Sequence, residues 1–298
     1  MNNILVVDIG GTSIKFGFSL DGIPYSEVRL FSSGELRRQD PVVGLAAMTR
    51  TFLAETKLVP NTIVSTVPGF VDTDGDRVIF AANLPELNNL RLASEWASVM
   101  GIPVVLERDA VLSLIGEHLA GAARGADTVL GLFFGTGVGA AFLEHGRPFR
   151  GAGWALEVGH MPFKGQRAKV DTSRSECLEV YVSGRVLQTI ANLHHTPIES
   201  LFAMRSHNQA LAQDLDVFVH DQASAVAVAV AMFSPQVLLI GGGVCEMSGF
   251  PREQLAGLIE TSFPFAHTGR AMDLRWATLG WRSVLHGAPH AVKERRSG

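Results

Sequence analysis

The sequence predicts an α/β protein built from two related halves. Three observations carry that expectation. Strand-like and helix-like stretches alternate along the chain, the pattern of α/β folds. A glycine hairpin near the start is echoed farther on, and an internal repeat is far more specific than a single copy. The 298 residues also exceed the roughly 150 usual for one domain, which suggests two.

The first hairpin opens the chain. Ile4 to Ile9 is an apolar run broken by one acid, Asp8, followed by Gly10-Gly11-Thr12 and a second run from Ser13 to Phe18. That reads as strand, tight turn, strand. Tyr25 to Leu30 continues as a third strand, and Ser32 to Asp40 as a polar loop. Pro41 to Thr56 carries helical periodicity, with Val42, Leu45, Met48 and Phe52 near one face. Thr62 to Val67 is a short buried strand, Asp72 to Asp76 a turn, Leu92 to Met100 an amphipathic helix and Pro103 to Leu106 a strand. Asp109 then stands where an N-cap belongs, ahead of a helix from Val111 to Ala122.

The second hairpin pairs a strand over Asp127–Phe134 with another over Ala140–Glu144, across Gly135-Thr136-Gly137-Val138-Gly139. Gly11-Thr12 and Gly135-Thr136 hold the same place in each copy, and Gly22 and Gly146 follow at the same interval. Glu176 to Leu193 and Asn208 to Phe233 read as helices, Gln236 to Ile240 as a strand closed by Gly241-Gly242-Gly243. A helix over Gln254–Ser262, a strand over Asp273–Trp276 and a last helix over Ser283–Arg295 complete the chain. The expected division puts residues 1–108 and about 284–298 in a smaller N-terminal domain and 109–283 in a larger C-terminal one.

Composition narrows the function. Hydrophobic residues make up 47% and charged residues 18%, so the chain is globular. A net charge of −4 leaves no electrostatic footprint for nucleic acid or for an anionic membrane. Two cysteines exclude a disulfide framework and any Cys₃ or Cys₄ zinc site. Asp8 and its glycines interrupt the first apolar run, so no signal peptide is expected. The apolar run Ala223–Phe233 reads as too short to span a bilayer, and a cytoplasmic protein is the expectation.

What remains points to phosphate chemistry. Consecutive backbone amides in a glycine turn, with a Thr hydroxyl, can cradle an anion, and an acid just before the turn can hold Mg²⁺ through water. Two such hairpins can grip one polyphosphate across a cleft between the halves. Asp109, beside the break between them, is suited to accept an alcohol's proton during phosphoryl transfer. Glu157 and His160 lie three apart in a glycine-rich segment and, with Glu179, can hydrogen-bond sugar hydroxyls. Gly242 and Gly243 leave backbone bare enough for a flat adenosine.

Six motifs together resemble the ROK-family sugar kinases of the actin-like ATPase superfamily. They are Asp8-Ile9-Gly10-Gly11-Thr12, Glu107-Arg108-Asp109, Gly135-Thr136-Gly137-Val138-Gly139, Gly153 to Met161, Cys177 to Gly184, and Ile240 to Val244. The resemblance implies two actin-like (ribonuclease H-like) domains with ATP in an interdomain cleft. By the same resemblance Asp8 serves Mg²⁺, Gly10, Gly11, Thr12 and Lys15 line the first phosphate loop, and Gly135, Thr136 and Gly137 form the second. Gly242 and Gly243 meet the adenosine. Asp109 deprotonates the sugar's 6-hydroxyl, and Glu157, His160, Glu179 and Asn83 hold the ring, with Arg108 beside them. Dimers are common in the family, which leaves a homodimer open.

Three departures from the family pattern stand out. Arg108 precedes the catalytic Asp where the family usually has Asn, as in the allose kinases, which also resemble this chain at Ala82-Asn83-Leu84-Pro85 and from Gly243-Val244 to Phe250-Pro251-Arg252. The family's zinc site uses the His and Cys matching His160 and Cys177 with two further cysteines, at positions that are Val170 and Thr172 here, so no structural zinc is expected. The Lys164–Glu176 loop must then be ordered by other contacts. Leu156 stands where a glycine usually precedes Glu157, which bears on the backbone path there. The expected function is ATP-dependent phosphorylation of a hexose. D-allose is the single best substrate, followed by glucose, mannose or N-acetylmannosamine. The alternative is a non-catalytic sugar-binding regulator. The family's repressors carry a DNA-binding segment ahead of the first hairpin, where this chain has Met1-Asn2-Asn3.

Overall fold

A computed structural model describes residues 3–165, 176–263 and 265–297. The chain forms two compact units, Met1–Arg124 with Pro148–Ala155 and Trp281–Gly298, and Gly125–Arg147 with Leu156–Gly280.

The first unit begins with β1 (Asn3–Ile9), β2 (Ser13–Leu20) and β3 (Ile23–Ser32), followed by α1 (Pro41–Thr56) and β4 (Thr62–Val67). A small hairpin of β5 (Phe70–Val71) and β6 (Val78–Phe80), then α2 (Leu92–Met100), β7 (Val104–Arg108) and α3 (Asp109–Ala120), complete its first pass. The second unit contains β8 (Thr128–Phe134), β9 (Val138–Glu144) and β10 (Arg147–Pro148), then α4 (Glu179–Val182), α5 (Gly184–Leu193) and α6 (Gln209–Phe233). β11 (Val237–Gly241), α7 (Arg252–Ser262), α8 (Phe265–Thr268) and β12 (Leu274–Trp276) follow, and α9 (Ser283–Ser297) returns to the first unit.

The repeat expected from the glycines is a repeat of topology. The first sheet runs β3-β2-β1-β4-β7 and the second β10-β9-β8-β11-β12. In each, an antiparallel hairpin (β1/β2 or β8/β9) adjoins two further strands parallel to its first member. Gly22 and Gly146 also do matching work. Asp21-Gly22 (φ 51 and 88) and His145-Gly146 (φ 50 and 73) are two-residue turns with both φ positive, as hairpins with right-handed twist require.

Alternation along β1 sends its side chains to two layers. Leu5, Val7 and Ile9 join Phe16, Phe18, Leu45, Phe52 and Trp96 in one core. Ile4 and Val6 join Val64, Leu112, Val284, Leu285 and Ala288 in the other. The second layer depends on a close crossing of α3 and α9. A Cβ on Gly116 would lie 1.9 Å from the Ser283 carbonyl oxygen, and one on Gly287 would lie 2.3 Å from that of Leu112. α1 starts where Asp40 accepts from the Val42 and Val43 amides with Pro41 in the first turn, and it stops at Lys57, which is left-handed at φ 56.

Several elements differ from the sequence expectation. β3 is longer than Tyr25–Leu30, and the polar loop after it contains a short 3-10 turn that buries Leu36. β7 extends through Arg108, and Asp109 is the first helical residue of α3 rather than its cap. The single helix expected over Glu176–Leu193 is two, because Ser183 is extended (φ −93, ψ 167). α6 is 25 residues and long enough to cross a membrane, so length does not exclude a span. Its burial marks it as a core helix. Leu211, Leu215, Phe218 and Val226 are enclosed, and so are Asp221 and Gln222, which suit a protein core better than lipid.

Candidate active site

In open α/β sheets, ligands bind at the carboxyl ends of the parallel strands. In the first unit that edge carries Asp8 on β1, Thr66 on β4 and Glu107 on β7, paired in register across three strands. Asp109 follows two residues on and is exposed. Asp8 is held from both sides. Its Oδ1 accepts from the Thr66 hydroxyl at 2.7 Å, and its Oδ2 pairs with Lys15 Nζ at 3.0 Å. Thr66 Oγ1 in turn accepts from the Ile9 amide at 3.1 Å. Lys15 Nζ also sits 5.9 Å from the centre of the Trp281 ring.

The first glycine turn is closed by Gly10 N donating to Ser13 O at 3.0 Å, and Ser33 braces it. The Ser33 hydroxyl donates to Gly10 O at 2.6 Å and its amide to Thr12 O at 3.1 Å. Asn83 packs on this turn, since a Cβ on Gly11 would come within 3.1 Å of its Cβ. Asp8, Gly10, Gly11, Thr12, Lys15, Asn83 and Asp109 therefore share one sheet edge. One carboxylate fits hydrated Mg²⁺, which keeps several waters and takes one or two protein carboxylates plus substrate phosphates.

Arg108 is buried, and its Nη1 donates to the Ala155 carbonyl at 2.6 Å. Its backbone amide donates to Glu107 Oε1 at 2.9 Å. Glu107 is gripped by Arg150 through two bonds of 3.1 and 2.6 Å, and Arg150 also reaches Glu294 at 2.5 Å. Burial opposes the Arg150 charge, but the two carboxylates outweigh it and raise its pKa. These side chains line a cavity of about 250 Å³ within the first unit.

The second unit presents the matching edge in another chemistry. Gly135 N donates to Gly137 O at 2.9 Å, closing the second turn. Gly135 O accepts from Gly184 N at 2.8 Å, at the start of α5. Gly242 has φ 94, and a Cβ there would lie 2.4 Å from Phe134 O, so only glycine fits. A Cβ on Gly243 would meet nothing within 4 Å. Glu179 is buried, and its Oε2 accepts from the Val138 amide at 3.1 Å. Gly159 lies against Val138 O, which brings the short turn Val158–His160 onto the same hairpin. Gly135, Thr136, Gly137, Glu157, His160, Glu179 and Gly242 are thus neighbours in this unit. Leu156 keeps a glycine-like path at φ 64 with its side chain buried, a strained conformation for a leucine.

Val170 and Thr172, the positions expected to lack zinc ligands, lie outside the described residues. Cys177 and Cys245 are buried free thiols, and burial pushes the Cys245 pKa up to about 12. Among the described residues no three His, Cys, Asp or Glu side chains converge as a metal site. Sequence reasoning missed Thr66, Arg150 and Tyr181. Thr66 meets Asp8 only through the register of β1 against β4, which adjacent residues do not reveal, and Arg150 finds its partners at positions 107 and 294.

The ROK family model matches residues 4–295, nearly the whole chain. The chain belongs to the ROK family. A glucokinase of Thermotoga maritima is 28% identical over 99% of this chain and 98% of its own length. An N-acetylgalactosamine kinase of Shewanella sp. strain ANA-3 is 26% identical over 92% of this chain and 94% of its own. The crystal structure of a ROK-family glucokinase from Streptomyces griseus with glucose and AMPPNP has a TM-score of 0.76 at 23% identity, covering all of both chains. The fold of this ROK chain is therefore that of two actin-like ATPase domains, and the two curated relatives named above are sugar kinases.

Proposed function

We propose that this sugar kinase transfers the γ-phosphoryl group of ATP to the 6-hydroxyl of a hexose, with Asp109 as the base. The observation that carries the reading is the carboxyl edge of the first sheet. Asp8, near the end of β1, and Asp109, just past the end of β7, have one strand between them, which is about 10 Å across the sheet, and Asp109 lies two residues farther along. That separation leaves room for a terminal phosphate at one acid and an acceptor hydroxyl at the other. Asp109 is exposed, as a group that meets a mobile substrate must be.

Each residue then has a task. Gly10, Gly11 and Thr12 offer backbone amides and a hydroxyl to the phosphates, and Lys15 contributes charge. Gly135, Thr136 and Gly137 form the second phosphate loop, and Gly242 and Gly243 bare the backbone for the adenosine. Asp8 orders the waters of a bound Mg²⁺, whose chemistry is to neutralise phosphate charge. Asn83, Glu157, His160 and Glu179 select the sugar through its ring hydroxyls. Arg108 acts on that choice by holding the Ala155 carbonyl. Asp109 accepts the hydroxyl proton as the oxygen attacks.

D-allose is the hexose we put forward, supported by the Arg108-Asp109 pair and the Ala82-Asn83-Leu84-Pro85 segment that this chain shares in kind with allose kinases. The deciding experiment measures ADP release with allose, glucose, mannose, N-acetylmannosamine, N-acetylgalactosamine and a β-glucoside. Turnover with none of them overturns the kinase reading. A glucose kcat/KM ten times that of allose overturns the substrate choice alone. Metal analysis finding one zinc per chain overturns the zinc-free reading.

A further inference from the structure

Tyr181, on α4, is 3% exposed and touches chain from two directions. On one side the Phe163 ring meets it edge-on, centroids 5.8 Å apart. Next to Phe163, a Cβ on Gly165 would lie 2.4 Å from the Tyr181 Cδ1 and 2.4 Å from Asp221 Oδ2. Gly165 is therefore wedged between the tyrosine ring and α6, where no side chain fits. On the other side the Tyr181 hydroxyl donates to Glu176 Oε1 at 2.9 Å. One buried side chain thus fastens Phe163 and Gly165 to Glu176, although these lie more than ten residues apart in sequence.

The fastened strands of chain carry the candidate sugar ligands. His160 N donates to Glu157 O at 3.0 Å, and Leu178 N donates to Met161 O at 3.0 Å. The Glu157–His160 turn is thereby joined to the residue just before Glu179. Glu179 is itself bonded to the Val138 amide of the second hairpin. Burial first, then the Glu176 carboxylate, push the Tyr181 pKa up to about 12, so the hydroxyl remains a donor at neutral pH.

We propose that Tyr181 is a positioning residue for sugar binding, a staple that sets the spacing between the Glu157–His160 turn and Glu179. It joins the same two stretches that a zinc bound by His160 and Cys177 would join, and it needs no metal. The inference rests on the sugar-kinase reading. It concerns ground-state arrangement of the sugar ligands, so it acts on the sugar's KM and leaves ATP untouched.

The test is steady-state kinetics of purified variants on whichever hexose the wild type turns over. Tyr181→Leu is expected to raise the sugar KM at least tenfold, with the ATP KM within twofold and kcat within threefold. Tyr181→Phe keeps the ring contacts, so its sugar KM should rise only about threefold, as one neutral donor is lost. Glu176→Gln keeps an acceptor and should stay within twofold. A sugar KM within twofold of wild type in Tyr181→Leu, or equal rises for sugar and ATP, overturns the staple. Should Tyr181→Leu fail to fold, Tyr181→Phe and Glu176→Ala must show matching rises in sugar KM, and a rise in neither or in only one overturns it. Wild-type turnover with no sugar would sink the kinase reading instead. The staple is then judged by hydrogen exchange at the His160 and Leu178 amides, which Tyr181→Phe must accelerate and which overturns the staple if unchanged.

Discussion

The two sheets share strand order and glycine turns, yet their carboxyl edges carry opposite chemistry. The first edge is charged, with the Asp8–Lys15 pair, the Thr66 hydroxyl and the exposed Asp109. The second edge is backbone. Gly137 and Gly242 leave no room for side chains, Gly135 stands in open space, and the Glu179 carboxylate beside the turn is engaged by the Val138 amide. In the proposed reading the duplicated scaffold offers a phosphate turn twice, while the base Asp109 and the metal-ordering Asp8 both stand in the first copy. The proposed division is that the first unit does the chemistry and the second provides a rigid seat.

If so, the largest effect belongs to the charged edge. Asp109→Asn should cut turnover about a thousandfold while ATP still binds, the usual scale for a general base. ADP release near the wild-type rate would erase the contrast. Gly242→Ala probes the rigid seat. With φ 94 and Phe134 O 2.4 Å from the new Cβ, it should destabilise the fold by about 3 kcal/mol or more. Gly243→Ala, in open space, should stay within about 0.5 kcal/mol. Urea denaturation of both variants checks this, and equal midpoints would mean the packing argument fails.

The hairpins themselves can be compared directly. Asp8→Asn should lower kcat/KM for ATP by about 10- to 100-fold, the scale of outer-shell metal contacts. Thr136→Ala in the second turn should cost less than Asp8→Asn, and the reverse order would assign the phosphate work to the wrong hairpin. The smallest expected effect is alkaline. Tyr181 holds its proton to about pH 12 when folded, above the ordinary tyrosine value near 10. Its contribution to stability is complete below about pH 10 and is lost as pH rises toward 12. An absorbance titration of the two tyrosines, Tyr25 and Tyr181, should show a late tyrosinate that disappears in Tyr181→Phe.

Much of the fold was legible because local signals agreed. Asp40-Pro41 and the periodicity that follows set the start of α1, and the Thr62–Val67 and Leu92–Met100 elements coincide with their sequence readings. Both glycine turns and their echo were visible because a tight turn leaves its mark in adjacent residues. The break at Ser183 was not, because it answers a distant partner, with Gly184 N bonding Gly135 O. Asp109 illustrates the same limit at the site. Its position was readable, but Arg108 is the capping residue, since β7 pairs with β4 as far as Val67↔Arg108. The Glu107–Arg150–Glu294 triad has no local signature at all, because its members meet only after the chain has folded back.

The Gly116–Gly287 crossing has a consequence for the order of folding. One face of the first sheet, carrying Ile4 and Val6, is covered by Val284, Leu285 and Ala288 of α9 as well as by Leu112 of α3. During synthesis that face must wait, partly uncovered, until the chain from Ser283 onward has been made. The whole of the second unit is made in the interval. The first unit is thus a non-local structure that closes late, exposed to aggregation while it waits. The second, continuous apart from the excursion at Pro148–Ala155, is free to consolidate first. A bulkier residue at Gly287 would meet the Leu112 carbonyl and hold α9 off α3, prolonging that exposed interval.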